Sequence, residues 1–155
     1  FIPHVYHILL VFATKQSEII CLVVMGMQKS NRFTIGVVGP CSAGKTTLIN
    51  GLKRYGYMVR HIAQEHSYVP EMWQKITSPK VLIYLDVSYE QCITRKHLNL
   101  TRQEFEEEVD RLKHARQHAN LYIHTDNLTV KEVLEKVLCY LQDQKIPPNT
   151  SETPV

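Results

Sequence analysis

FTIGVVGPCSAGKTT (Phe33–Thr47) joins an unbroken apolar run to a loop that holds two glycines, a lysine and two threonines. An apolar run closed by Gly39-Pro40 reads as a strand buried on both faces. After the loop, KTTLINGLKR (45–54) places Leu48, Ile49, Leu52 and then Tyr55 on one helical face, and Gly56 can end that helix. The residues from Gly39 to Thr46 fit the phosphate-binding pattern G-x4-G-K-[ST], and a strand before it with a helix after it is the context the pattern requires. The physical logic is local. Glycines let the backbone turn its N–H groups towards an anion, and the helix N-terminus adds a favourable dipole.

Gly39, Pro40, Cys41, Ser42, Ala43, Gly44, Lys45, Thr46 and Thr47 are therefore the expected cradle for a nucleotide's phosphates. Lys45 can reach the β- and γ-phosphates, and the Thr46 hydroxyl can ligate Mg²⁺. The ordinary alternative is a glycine-rich turn that merely caps a helix. A phosphatase-type cradle, Cys-x5-Arg, would need arginine at position 47, where Thr47 stands.

Outward from this stretch the chain alternates strand and helix. YMVRHIA (57–63) reads as a strand whose Arg60 and His61 suit a sheet edge, and VLIYLDV (81–87) reads as a second buried strand. Ser88 with Gln91 forms a capping-box pattern for a helix through about Lys96. Thr101 with Glu104 repeats it before a long helix that turns Phe105, Val109, Leu112 and Ala115 inward. NLYIHT (120–125) is a short strand, and Thr129 with Glu132 caps a last helix whose apolar residues are Val130, Val133, Leu134, Val137, Leu138 and Leu141. Strands each followed by helix predict an α/β domain with a mainly parallel four-stranded sheet. Its expected span is 31–146, with an extension outside the core at 1–30 and a disordered tail at 147–155.

Composition narrows the function classes. The chain has 155 residues, enough for one domain with its own core, and a net charge of +3 with no dense Lys/Arg block. Nucleic acid is therefore not an expected partner. Cys21, Cys41, Cys92 and Cys139 are scattered without a CxxC pair, which points to a reducing, cytoplasmic setting. Near the N-terminus VYHILLVFA and IICLVVM are apolar, but neither reaches the ~20 residues of a bilayer span.

Two further segments carry a resemblance. NLYIHTDNLTVKEVLEKVLCYL (120–141) resembles the last strand and helix of P-loop kinases of the nucleoside monophosphate kinase and dephospho-CoA kinase type. VLIYLDVSYEQCITRK (81–96) is similar to the strand and helix that lead such kinases into their lid. With the loop, the resemblance covers roughly 33–142, and only the loop is highly specific. Asp-x-x-Gly and Asn-Lys-x-Asp, the GTPase markers, are missing. The departure from the kinase pattern is informative. Those kinases have five parallel strands and a substrate-binding insertion, whereas only the seventeen residues Gln64–Lys80 separate the second and third strands here. The resemblance implies a compacted sheet in the order 2-1-3-4.

In such a sheet, ligands sit beyond the carboxyl ends of the strands, where Glu65 and Asp86 both fall. Asp86 is expected on the Mg²⁺ side with Thr46, and Glu65 as the acid acting on an acceptor or water, bracketed by His61 and His66. From the resemblance, Arg95 and Arg102 are expected as lid-side contacts to the transferred phosphoryl group. Asp126 and Asn127 fall where those kinases shape the adenine pocket. Tyr68, Met72 and Trp73 replace the substrate domain, either stacking on a ring or packing in the core. The expected activity is that of a small kinase using ATP (or another nucleoside triphosphate) with Mg²⁺ on a compact acceptor. The alternative is a nucleotide-binding switch or slow NTPase acting through a protein partner.

Overall fold

In the computed structural model, which describes residues 33–96 and 99–149, the apolar run after Phe33 forms strand β1 (Thr34–Val38). The expected extension at 1–30 and residues 150–155 of the expected tail lie outside the described residues. Helix α1 (Lys45–Arg54) follows the loop and ends ahead of Gly56, which takes a left-handed φ of 80°. Strand β2 (Met58–His61), helix α2 (Met72–Thr77) and strand β3 (Val81–Asp86) come next. Helix α3 (Tyr89–Lys96), helix α4 (Arg102–Gln117), strand β4 (Leu121–His124) and helix α5 (Val130–Asp143) complete the described chain.

The sheet is parallel throughout and its order is β2-β1-β3-β4. β2 stands at the edge, where the polar Arg60 and His61 remain exposed. It is shorter than the apolar pattern at 57–63 predicts, although the ladder gains one more bond from Ile62 N–H to the Val37 carbonyl at 3.1 Å. Helices cover both faces, and alternation along the strands sorts their residues between two cores. Ile35, Val37, Ile83, Leu85 and Ile123 pack with Leu48, Leu52, Val137 and Leu141 of α1 and α5. On the other face Val38, Leu82 and Tyr84 pack with Trp73 of α2 and with Leu112 and Ala115 of α4. Trp73 is thus core.

Local caps set the helix starts. Both arms of the capping box form at Thr101–Glu104 and at Thr129–Glu132. At Ser88 the hydroxyl accepts from Gln91 N–H at 3.3 Å, the forward arm of the expected box. Val130 lies outside the core stripe of α5 and is 65 % exposed. Pro147-Pro148 does not release the chain. Asn149 N–H donates to the Gly56 carbonyl at 2.9 Å and Asn149 Nδ2 donates to the Phe33 carbonyl at 3.1 Å, so the fold extends to at least 149.

Candidate functional site

The loop after β1 is built by unusual backbone. Gly39 has φ 152° and a Cβ there would lie 2.1 Å from the Leu85 carbonyl oxygen of β3. Only glycine lets the chain pass β3 this closely. Gly44 is the N-cap of α1 at φ 94°, no side chain caps the helix, and its first turn holds no acid. The leading N–H groups of a helix have no partner within it, so this turn presents donors and positive dipole without an internal anion. A cavity of about 620 Å³ opens there, lined by the loop from Cys41 onward, the start of α1, Glu65 and Arg95.

Lys45 lies on the floor of this cavity. Its Nζ donates to the carbonyls of Gly39 (2.5 Å) and Pro40 (2.8 Å) and pairs with Glu65 Oε1 at 2.7 Å. Glu65 sits on a single 3₁₀ turn, Gln64–His66, just past β2. Gln64, fully buried, fixes that turn. Its Oε1 accepts from Trp73 N–H at 2.9 Å, and its Nε2 donates to the Val69 carbonyl at 2.9 Å. Arg111 of α4 adds a bond to the Glu65 carbonyl at 3.1 Å. The second carboxylate oxygen of Glu65 is buried without a hydrogen-bond partner. His61 Nε2 stands 3.8 Å from Glu65 Oε1. Burial and the nearby Lys45 ammonium hold the His61 imidazolium below its usual range.

Glu108 is a participant that the sequence reading did not single out. Its Oε2 accepts from Cys41 N–H at 2.9 Å, tying the loop to α4. Burial first, then Glu108, push the Cys41 thiol up to about 12, so the free thiol is neutral and no nucleophile. A signal for Glu108 was present: it lies three residues after Phe105 and four before Leu112, a carboxylate on the apolar stripe of its helix.

Thr46, Thr47 and Arg95 line the cavity with Lys45 and Glu65. Arg95 is held by Thr125, donating from one NH group to its hydroxyl at 2.9 Å and from the other to its carbonyl at 2.7 Å. Arg102 is elsewhere. It pairs with Glu90 at 2.7 Å and lies over the Tyr89 ring, because the start of α4 faces α3 rather than the loop.

Asp86, expected on the Mg²⁺ side, does not line the loop cavity. It shares the parity of Leu82 and Tyr84 and so points to the α4 face of the sheet, not into the loop cavity. Its Oδ1 accepts from Val87 N–H at 3.0 Å, its Oδ2 accepts from the Tyr122 hydroxyl, and Arg116 stands 3.6 Å away. Asp126 and Asn127 are also outside this cavity. Asp126 accepts from Ser88 N–H at 2.9 Å and lies 3.2 Å from His124, while Asn127 faces a separate hollow beyond β4. Thr125 and Leu128 on either side of them line the cavity instead. Tyr68 is exposed, with the Arg111 guanidinium 4.4 Å from its ring centre.

No family model matches the chain, and no curated protein matches it. Among the described residues no helix is long and apolar enough to cross a membrane.

Proposed function

We propose that the chain binds a nucleoside triphosphate with Mg²⁺ in the cavity at the Gly39–Thr47 loop and transfers its γ-phosphoryl group to a compact acceptor. The observation that carries this reading is the uncapped, acid-free first turn of α1 opening into a cavity with Lys45 on its floor. Donors, dipole and ammonium converge there, and few ligands other than phosphate use all three. Thr46 would offer a hydroxyl to the ion. Arg95, held at the rim by Thr125, would face charge developing on the transferred group. Glu65 would act as the acid or base on the acceptor once phosphate draws Lys45 towards itself. Catalysis of this kind rests on positioning and charge stabilisation.

A second reading has its own support. The segment between β2 and β3 is short and clipped to α4 through Gln64 and Arg111, which leaves little chain to enclose a second substrate. That favours a nucleotide-binding switch or slow NTPase acting through a protein partner. ATP turnover with and without a panel of phosphoryl acceptors separates the two. Acceptor-stimulated ADP release selects the kinase; nucleotide binding with no stimulation selects the switch; no binding by calorimetry overturns both.

A further inference from the structure

We propose that Cys41, Glu65 and His66 hold a divalent transition-metal ion of the zinc class at the rim of the loop cavity. The sulfur of Cys41, a carboxylate oxygen of Glu65 and a ring nitrogen of His66 all lie within 4.8 Å of one another. Donors around a tetrahedral zinc ion are separated by about 3.5 Å, so ligation asks the three side chains to close by roughly an ångström. The three residues come from the loops that follow the adjacent strands β1 and β2. Two of them are already anchored by backbone bonds, Cys41 to Glu108 and Glu65 to Arg111. His66 is exposed.

A second observation points the same way. Lys45 takes only one oxygen of Glu65, and the other is buried with no hydrogen-bond partner. A bare carboxylate oxygen in a buried place is costly unless a cation or donor meets it. An ion on that oxygen satisfies it without disturbing the Lys45 pair. Glu108 adds a second carboxylate close to Cys41, against the Lys45 ammonium on the other Glu65 oxygen.

The donor set selects the metal. One sulfur, one imidazole nitrogen and one carboxylate oxygen suit Zn²⁺ or Co²⁺, whereas Mg²⁺ prefers six oxygens. This site is therefore distinct from the Mg²⁺ expected at Thr46. Cys41 would give up its proton on ligation, and all three residues line the loop cavity.

The test uses Co²⁺ alone, without nucleotide, added to the full chain under a non-thiol reductant. The expected result is one Co²⁺ per chain, with a near-ultraviolet thiolate-to-metal band and the visible bands of a four-coordinate ion, displaced by Zn²⁺. Cys41→Ser should remove the near-ultraviolet band, and His66→Ala should weaken binding by about tenfold or more. Cys21→Ser and Cys139→Ser should leave both unchanged. His66 is exposed, so its variant tests the site even if Cys41→Ser disturbs the loop. Absence of the thiolate band in the wild type, its survival in Cys41→Ser, or unchanged affinity in a folded His66→Ala variant would overturn the proposal. The readout is metal alone, so a failure to bind ATP leaves it standing.

Discussion

Lys45 and Glu65 lie 2.7 Å apart with side chains only 8 % and 2 % exposed, so each is the other's counter-charge. The pair joins the loop after β1 to the 3₁₀ turn after β2. It also sets the terms for any anion entering the cavity. A phosphate entering there would have to compete with Glu65 for the ammonium.

Lys45→Ala should abolish binding of Mg-ATP, measured by calorimetry, because it removes the cation on the cavity floor. It should also destabilise the fold by about 3–5 kcal/mol in chemical denaturation, since Glu65 is left buried and uncompensated. Adding Glu65→Gln should recover much of that stability and none of the binding. Equal nucleotide affinity in wild type and Lys45→Ala would show the loop assignment to be wrong.

Two carboxylates should separate cleanly. Glu65→Gln should bind nucleotide and turn it over at least about tenfold more slowly, the signature of a group needed for the step rather than for binding. Asp86→Asn should leave Mg-nucleotide affinity unchanged and cost about 1–2 kcal/mol in stability, through weakened bonds to Val87 N–H and Tyr122. Weaker Mg-nucleotide binding in Asp86→Asn, with its melting temperature unchanged, would return Asp86 to the metal.

The loop glycines should differ in kind. At Gly39 a methyl group meets the Leu85 carbonyl at 2.1 Å, so Gly39→Ala should cost about 3 kcal/mol or more and pull the loop off β3. At Gly44 a methyl group meets nothing within 4 Å, and only its φ of 94° resists. Gly44→Ala should cost about 1–3 kcal/mol by the strain alone. Thermal melts of the two variants decide this, and a Gly44→Ala loss as large as that of Gly39→Ala would contradict it.

Acid should act through the two capping boxes. Bonds from Thr101, backbone first, hold the Glu104 carboxyl below its ordinary 4.5, and Thr129 does the same for Glu132. Both are depressed carboxylates. Their contribution is fully present above pH 4.5 and is lost as pH falls through the lower folded values. Glutamine keeps the accepting oxygen but does not titrate. Glu104→Gln/Glu132→Gln should therefore have a lower urea midpoint than wild type near neutral pH, and the gap should narrow as pH falls below about 4.5. Parallel pH profiles for the two proteins would exclude the boxes as the titrating groups.

Much of the fold was legible because its determinants are local. FTIGVV and VLIYLDV announce strands covered on both faces, Arg60 and His61 mark the edge, and Thr101–Glu104 and Thr129–Glu132 place two helix starts. The candidate site was legible only where a motif is contiguous. Gly39 to Thr47 could be read together because the loop is one turn of backbone whose spacing alone decides its shape.

What the chain's order by itself determined is thus the parallel α/β scaffold and a loop-to-helix turn with Lys45 inside it. Only tertiary structure decided which distant side chains join that loop. Asp86 stands at a strand end as the pattern requires, yet its parity with Tyr84 carries it to the α4 face, towards Tyr122 and Arg116. Arg102 is drawn to Glu90, and Glu108 reaches Cys41 from the inward stripe of α4. Glu65 meets Lys45 because β2 pairs with β1 and the turn after it is clipped by Gln64. Which face of a strand end meets which helix depends on how the layers pack, and periodicity along one segment carries no information about that.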